Sequence, residues 1–405
     1  MMSKLVRGRS VWVVALMLAI GAVALLAGCG GSSSSSSESE GSTNSAETES
    51  GSATTAATEE EESAGGGESS AVEAAKAEFE KFIKPQPDIE IPPVPKKPPT
   101  GTKLTVVTCP LPVCRAETDP AKKAAEELGW SIEYLQTELT PEAYQATMDQ
   151  VVAKPPEALS VIASIPYEVI EKQIKELAAK KVPIVAIAPI GIEPNEAGPV
   201  LGVVTGPPQF GQSGRLMGDA VVADHGEGAK TVFITDPSLK GVWGPVQEEF
   251  TKVVTGAGGE VEELQVEAAQ IGKSIPTQVT SYVQSHSDVE YLAFALNDLT
   301  VGVPQALESA GLNESVKIVS RAPQPANLEN IKNGVEWTSV AEENSAGGYR
   351  SIDQLVRAMQ GVPLGELANP AGWAQIINSE SVTETDAVPT TPGFPTVFQE
   401  AWHLK

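Results

Sequence analysis

The sequence predicts an α/β protein made of two doubly wound, Rossmann-like lobes of parallel strands. Three observations lead to this fold class. From Gly101 onward the chain has about 300 residues, more than one hydrophobic core usually serves. Apolar runs of strand length alternate with helical segments, which is typical of parallel sheets. The alternation occurs in two consecutive series, each long enough to form one lobe.

The first series begins with a strand at 104–108 and ends with a short strand at 200–204. Asp119 and Pro120 have the residue types of an N-cap and a first-turn proline, so a helix is predicted from there to Gly129. The other predicted elements are strands at 131–135, 158–163 and 184–188, a helix from Thr140 to just before Pro155, and a helix at 167–180.

The second series begins after a helix around 209–224. Its predicted strands are 231–235, 261–266, 291–296, 317–320 and 335–341. Its predicted helices are 246–254, 275–285, 304–311, 326–332 and 346–360. The strand at 291–296 is apolar throughout, which indicates burial on both faces of the sheet.

A polar pair, Asn297 and Asp298, follows this apolar strand directly. Ligands of open α/β sheets bind beyond the carboxyl ends of the strands, so the pair is a candidate ligand site. An Asn-Asp pair also caps helices and forms Asx-turns, and the sequence is equally compatible with this alternative.

The N-terminus has the organisation of an export signal. Lys4, Arg7 and Arg9 precede an apolar run at 11–26, and small residues lead to Cys29. The end of this segment, LAGC, resembles a bacterial lipobox, so residues 1–29 are predicted to be a lipoprotein signal peptide with lipidation at Cys29. The alternative is a transmembrane anchor, which needs about 20 apolar residues, and this run is shorter.

Residues 30–100 are predicted to link that anchor to the folded body. The part at 30–70 is almost entirely Ser, Gly, Thr, Ala and Glu, a composition typical of a disordered acidic tether. A short helix is predicted at 72–84, to pack on the body or contact a partner, and 85–99 is a proline-rich spacer. The net charge of −25 argues against a nucleic-acid partner.

The other two cysteines, Cys109 and Cys114, belong to an exported chain, and oxidising compartments favour a disulfide between them. Pro110 and Pro112 lie in the loop that this disulfide would hold rigid at the edge of a cleft. A zinc site needs at least three protein ligands, and the histidines are scattered along the chain. We therefore predict no metal and no cofactor.

Together these features resemble a type I periplasmic binding protein of the ribose-binding-like class. The resemblance extends from Gly101 to the C-terminus and depends on the order and spacing of several segments. They are 104–107 (LTVV), 121–130 (AKKAAEELGW), 181–185 (KVPIV), 227–230 (EGAK), 294–298 (FALND), 306–311 (ALESAG) and the C-terminal Phe398 with Trp402.

The resemblance implies two lobes that are joined by three hinge strands and close over one ligand. The expected hinge crossings are near 204–207, 341–344 and 373. The expected lobes are 101–205 with 343–372 at the N-terminal side, and 206–342 with 373–405 at the C-terminal side. Such a protein binds and does not catalyse, and the sequence has no G-x-S-x-G, Walker or H-E-x-x-H motif.

Sugar-binding members of this class grip hydroxyl groups with polar residues at the strand ends, and most of these residues are missing here. The Asp-Arg pair expected after the fourth strand falls at Ala188 and Pro189, and an expected aspartate falls near Arg321. Only Asn297 is retained, and Glu342 lies where the family often has a hinge-side glutamine. A simple pyranose is therefore not the expected ligand by default.

Seven residues are candidates for ligand contact: Asn297, Asp298, Trp243, Glu342, Arg115, Asp236 and Arg321. Asn297 would hydrogen-bond the ligand and Asp298 would order that strand end. Trp243 would stack on the ligand, and Glu342 and Asp236 would bind its polar groups. Arg115 and Arg321 would face an anionic ligand. The alternatives are packing for Trp243, turn or hinge solvation for the acids, and surface exposure for the arginines.

The predicted function is that of an extracytoplasmic, lipid-anchored solute-binding protein at the cell membrane. It would capture a sugar-like or other polar small molecule between its lobes and deliver it to the permease of an ABC importer. The alternative is a ligand sensor that presents the same cleft to a membrane signalling receptor. We expect a monomer, the usual state in this class.

Overall fold

The computed structural model describes residues 69–370 and 372–405, which lie in one compact unit. The predicted signal peptide, Cys29 and most of the predicted tether lie outside the described residues. Within those residues, none of the helices has the length and apolar character needed to span a membrane.

The strands occur as two groups along the chain. They are β1 (Lys103–Thr108), β2 (Ser131–Gln136), β3 (Ala158–Ile162), β4 (Ile184–Ile187), β5 (Gly202–Val204), β6 (Lys230–Thr235), β7 (Glu260–Gln265), β8 (Tyr291–Phe294), β9 (Lys317–Arg321), β10 (Thr338–Glu342) and β11 (Ala374–Asn378).

Helices alternate with these strands. They are α1 (Ser70–Phe82), α2 (Pro112–Glu127), α3 (Pro141–Ala153), α4 (Tyr167–Ala179), α5 (Pro207–His225), α6 (Lys240–Gly256), α7 (Ile275–Ser285), α8 (Val303–Ser309), α9 (Pro325–Lys332), α10 (Asn344–Met359) and α11 (Thr396–Ala401).

Two sheets organise the molecule, and they confirm the predicted α/β fold of two lobes. The first has the strand order β2-β1-β3-β4-β5, and the second has the order β11-β10-β9-β8-β6-β7. All neighbouring strands are parallel except β10 and β11. The central strands β3, β4 and β8 are buried along their whole length, because helices cover both faces of each sheet.

The chain passes between the two lobes at several points. It leaves the first sheet after β5, returns between β10 and α10, and crosses again before β11. At the middle crossing, Arg350 binds Glu343 with two hydrogen bonds of 3.0 and 3.1 Å, and both side chains are buried. A bidentate contact of this kind fixes the geometry of the crossing.

The C-terminal segment returns to the first lobe, whereas the sequence assigned residues 373–405 to the C-terminal lobe. Phe398 and Trp402 are fully buried in the core of the first lobe. The ring of Trp402 stacks on Tyr349 of α10 at a centroid distance of 5.9 Å. The assignment differs because these aromatic side chains cover α10, which itself packs on the first sheet.

The helix after β1 begins earlier than the sequence indicates. The helix predicted to start at Asp119 starts at Pro112, and Pro120 lies inside it. A proline in a helix interior removes a hydrogen bond and favours a break. Close packing supports the helix at this point: a Cβ at Gly348 of α10 would lie 2.2 Å from the backbone oxygen of Glu117. Tertiary packing thus overrides the local stop signal.

The N-terminal segment contacts both lobes. The predicted short helix is α1, and it packs Val72, Ala75 and Phe82 into the core of the second lobe. The proline-rich stretch that follows reaches the first lobe, where Val94 is buried and its backbone N–H donates to the oxygen of Ala401 at 3.0 Å. This connection adds a crossing between the lobes that the sequence did not indicate.

Replacing Phe82 by alanine is expected to lower the free energy of unfolding by about 3 kcal/mol, because it removes a buried ring from the contact between α1 and α5. Urea denaturation measures this change. Phe79→Ala in the same helix is the control, since that ring is only partly buried. Equal losses for the two variants would contradict the docking of α1 through Phe82.

Candidate functional site

A cavity of about 50 Å³ lies between the two lobes. Its walls are mainly apolar and come from the carboxyl ends of strands in both sheets and from the helices that follow them. They include Leu111, Ile162, Phe210, Val242, Trp243 and Leu296. The cavity therefore lies where ligands of parallel α/β sheets bind, beyond the strand ends and at the junction of two lobes.

The lobes are in contact around this cavity. Gly241 of α6 approaches Ile190 of the first lobe so closely that a Cβ at position 241 would lie 2.2 Å from Ile190 Cγ2. Only glycine permits this approach. The structure thus represents a closed arrangement of the two lobes.

A buried ion pair forms one wall of the cavity. Arg321 Nε donates to Glu342 Oε1 at 2.8 Å, and Ser213 Oγ donates to the same oxygen at 2.5 Å. The guanidinium also lies over the ring of Phe210, 4.9 Å from its centroid. Arg321 lines the cavity, while Glu342 lies behind it and neutralises its charge. Of the two predicted ligand residues, Arg321 can touch a ligand directly.

Glu117 of α2 lines the opposite side of the cavity and is almost fully buried. The hydroxyl of Thr205 donates to its Oε1 at 2.5 Å. Burial raises the pKa of Glu117 to about 8, and the nearby carboxylate of Glu342 acts in the same direction. Glu117 is therefore mostly protonated at neutral pH and adds no net charge to the cavity.

The stability of the protein is expected to fall as the pH rises from about 4.5 to 8. The folded-state pKa of Glu117 lies above the ordinary value of 4.5, so the folded protein binds a proton that the unfolded chain releases in this range. Glu117→Gln removes this titration. When the pH is raised from 5 to 8, the free energy of unfolding of the wild type should fall by on the order of 3 kcal/mol more than that of the variant.

Urea titrations at both pH values measure the difference. Burial also raises the pKa values of Asp298 and Asp219, to about 6 and about 7, but these groups remain in the variant. The exposed Glu126→Gln on the same helix is the matched control and should keep the wild-type slope. An unchanged slope in Glu117→Gln would show that Glu117 is ionised in the folded protein.

Asn297 does not face the cavity, contrary to the role predicted for it. It is fully buried, and its Nδ2 donates to Glu336 Oε2 at 3.0 Å and to Thr300 Oγ1 at 3.2 Å. Its Oδ1 accepts from Ser339 at 3.2 Å. Because its amide is used by buried side chains of the second lobe, its position supports neither the predicted ligand contact nor the alternative of a helix cap or Asx-turn.

Asp298 is buried against the first lobe. Burial raises its pKa to about 6, while the backbone N–H of Val113 and the guanidinium of Arg321 lower it. Val113 lies in the first turn of α2, and the positive end of a helix dipole favours a nearby carboxylate. Asp298 thus joins the second lobe to the first in the closed arrangement and does not line the cavity.

The remaining candidates occupy three different environments. Trp243 lies in α6, which starts at Lys240 and therefore earlier than predicted; its ring is buried and lines the cavity. Asp236 accepts backbone N–H groups of Ser238 and Ala268, at 2.8 and 2.7 Å. Arg115 lies on the exposed face of α2, where it pairs with Asp119 at 3.5 Å, so its predicted ligand contact is not supported by its position.

The predicted disulfide between Cys109 and Cys114 is present, with the two Cα atoms 5.6 Å apart. Cys114 lies in the first turn of α2 and not in a loop, and both cysteines line the cavity. Among the described residues, no group of His, Cys, Asp and Glu side chains could hold a metal ion.

The sequence prediction missed several cavity residues, namely Glu117, Ser164, Thr205 and Asn344. Glu117 was missed because it precedes the predicted start of its helix. Thr205 has a φ of 53° at the end of β5, which only the structure can show, since Thr seldom adopts the left-handed region.

A family model described as a periplasmic binding protein domain matches residues 115–363. The match covers more than half of the 405 residues, so the chain belongs to this family. The predicted membership in the type I, ribose-binding-like class is confirmed, and the chain is a binding protein and not an enzyme. A comparison with curated protein sequences found no significant match.

Solved structures of solute-binding proteins share the fold. A 5-methylthioribose transporter solute-binding protein from Thermotoga lettingae has a TM-score of 0.66 at 12% identity, over 76% of this chain and all of that chain. A periplasmic ribose ABC transporter protein from Conexibacter woesei has a TM-score of 0.60 at 17% identity, over 71% and 95% of the two chains.

A third similar structure is a complex of XylFII with LytSN, with a TM-score of 0.60 at 16% identity, over 70% of this chain and all of that chain. At such low identities these likenesses concern the fold.

Proposed function

We propose that this chain is the extracytoplasmic solute-binding lipoprotein of an ABC importer. The observation that carries the proposal is the cavity closed between two lobes, with both lobes contributing walls. Two neighbours of the same fold are described as ABC transporter proteins, and one of them was solved in complex with 5-methylthioribose, which supports a transport role. A ligand that contacts both lobes would stabilise the closed arrangement, and a permease could recognise that state.

The proposal predicts that a small molecule raises the melting temperature of the purified protein. A ligand at 100 times its dissociation constant stabilises by about 2.7 kcal/mol, enough to move the midpoint by several degrees. A broad library of small solutes is the appropriate screen. If none of them moves the midpoint, the proposal loses its main support.

Gly241→Val supplies the matched test of closure. The new side chain would collide with Ile190 and hold the lobes apart without entering the core of either lobe. Any ligand found should bind this variant at least tenfold more weakly, because one set of contacts is lost. Gly256→Val, in the last turn of the same helix where a Cβ meets no neighbouring atom, should bind normally.

Membrane attachment through lipid on Cys29 is part of the proposal and rests on the lipobox-like sequence. Replacing Cys29 by serine should abolish incorporation of labelled fatty acid and release the protein from the membrane fraction. Retention of the variant in the membrane fraction would favour the alternative of a transmembrane anchor.

The second candidate function is ligand sensing for a membrane signalling receptor. The similar XylFII structure, which was solved in complex with LytSN, makes a protein partner other than a permease worth testing. Deleting the neighbouring permease genes distinguishes the two functions. Loss of solute uptake supports transport, whereas normal uptake with a lost transcriptional response supports sensing.

A further inference from the structure

The interlobe cavity has few polar groups, and most of them already have partners. Ser164 Oγ donates to the oxygen of Ala188 at 3.0 Å, and Thr205 donates to Glu117. Arg321 donates through Nε to Glu342 and through Nη1 to the oxygen of Ala295, at 2.8 and 3.5 Å. Internal hydrogen bonds thus use much of the polar capacity that a ligand could have used.

Two of the side chains that line the cavity have unused hydrogen-bonding groups. The Oδ1 atom of Asn344 is buried and has no hydrogen-bond partner among the described residues. Asn344 itself is 5% exposed and lines the cavity. Arg321 Nη2 is the second atom, since the bonds of this guanidinium run through Nε and Nη1. This acceptor and the two N–H groups of Nη2 suit a single small polar group on a ligand.

The site is also electrically balanced. The charge of Arg321 is compensated by Glu342, and Glu117 is mostly protonated at neutral pH. An additional carboxylate in the cavity would add a negative charge to a site in which the charge of Arg321 is already paired with Glu342. Burying an unpaired charge in such surroundings is unfavourable. A neutral ligand therefore fits better than an anion.

Two residues that line the cavity have strained backbone conformations, which is a separate indication of a functional site. Ala188 and Thr205 both line the cavity and have φ values of 47° and 53°. Residues other than glycine adopt this region at a cost, and such residues cluster at functional sites. Ala188 also occupies a position at which the sugar-binding pattern expects a polar side chain. Its methyl group leaves this part of the wall apolar.

We infer that the interlobe cavity binds a compact, neutral and largely apolar molecule that carries one polar group, such as a hydroxyl or a carboxamide. The polar group would contact Asn344 and Arg321, and the apolar body would contact Trp243, Phe210 and the surrounding aliphatic side chains. This inference rests on the proposed solute-binding function and specifies its ligand. A sugar or polyol would bury several hydroxyl groups without partners, and each one costs about as much as a lost hydrogen bond.

The side of the cavity that adjoins the wider cleft is also apolar. Leu111, Leu139 and Leu239 line both the cavity and a wider cleft outside it, which measures about 880 Å³ and has walls of both polar and apolar residues. These three leucines therefore lie between the cavity and the wider cleft, where they would shield the apolar body of a bound ligand from water.

The test measures the binding of matched compounds to the full chain by calorimetry and thermal shift. The probes are ethanol, propan-2-ol and acetamide, small enough for a cavity of about 50 Å³, compared with acetate, ribose, glucose and ribitol. We expect binding of at least one neutral probe, with acetate at least tenfold weaker than acetamide. The monosaccharides and the polyol should give no shift.

Two isosteric variants of α6 provide the matched control. Val242→Thr adds a hydroxyl to the cavity wall, and Val254→Thr adds one to the buried core away from it. Both variants should lower the free energy of unfolding by similar amounts. Only Val242→Thr should weaken binding of the apolar probe, by about tenfold. Equal effects of the two variants on affinity would overturn the assignment of the probe to this cavity.

The outcomes separate this inference from the proposed function. Binding of a monosaccharide or polyol would overturn the ligand class while leaving the solute-binding function intact. No binding by any of these probes would also overturn the ligand class, and the broad library described above would then decide the function on its own. Binding of the apolar probes that is sensitive to Val242→Thr would support both.

Discussion

Replacing Arg321 by methionine is expected to lower the free energy of unfolding by about 3–5 kcal/mol. Arg321 and Glu342 form a buried ion pair with side chains that are 3% and 0% exposed. Removing the guanidinium leaves the carboxylate of Glu342 in the interior without a counter-charge. Breaking a buried pair in this way costs far more than the pair itself contributes, because the remaining ion is desolvated. Urea denaturation at pH 7 measures the loss.

A double variant distinguishes an uncompensated charge from a loss of packing. Arg321→Met combined with Glu342→Leu removes both charges, and Ser213, which donates to Glu342, retains the backbone oxygen of Gln209 as a partner. Most of the lost stability should return in the double variant. Arg115→Met, at an exposed ion pair, should change stability by less than about 0.5 kcal/mol. A double variant as unstable as the single one would contradict this explanation.

Replacing Trp402 by alanine is expected to lower the free energy of unfolding by about 3–5 kcal/mol. Its indole is fully buried, stacks on Tyr349, and donates from Nε1 to Asp353 Oδ1 at 2.8 Å. Asp353 in turn pairs with Arg357 at 2.7 Å. The substitution would therefore create a large cavity and weaken a buried polar network in the first lobe.

Trp402→Phe separates these two effects, because it keeps an aromatic ring and removes the N–H donor. We expect a loss of about 1–2 kcal/mol for this variant, since Asp353 retains its bonds to Arg357. Thermal and urea unfolding of both variants measure the losses. A small effect of Trp402→Ala would mean that the C-terminal segment is not part of the folded first lobe.

The fold could be predicted from the sequence because its signals are local and repeated. Continuous apolar runs such as 291–296 and the helices between them require only the periodicity of hydrophobic residues. The start of α2 at Pro112 could not be predicted in this way. Its continuation through Pro120 depends on packing against α10, which is more than 200 residues away in the sequence.

The site was less predictable than the fold, because a residue type at a strand end does not determine which way its side chain points. Asn297 lies at the expected strand end but turns toward Glu336, whose role no local pattern indicates. Arg321 is the last residue of its strand, β9, and does reach the cavity. The two differ through their partners, which come from distant segments.

The absent sugar-binding residues were the most informative feature of the sequence. The resemblance implies polar side chains at the positions of Ala188 and Pro189, and Ala188 lines the cavity with only a methyl group. The ligand class inferred from the cavity therefore agrees with a departure that the sequence alone displays.

Identification of the molecule that co-purifies with the protein tests directly whether the interlobe cavity binds a neutral, largely apolar ligand. The protein would be isolated from its own cells without denaturation, extracted with solvent, and analysed by mass spectrometry against an extract of Gly241→Val. We expect a neutral, largely apolar compound in stoichiometric amount that is depleted in the variant. A monosaccharide or polyol in that extract would contradict it.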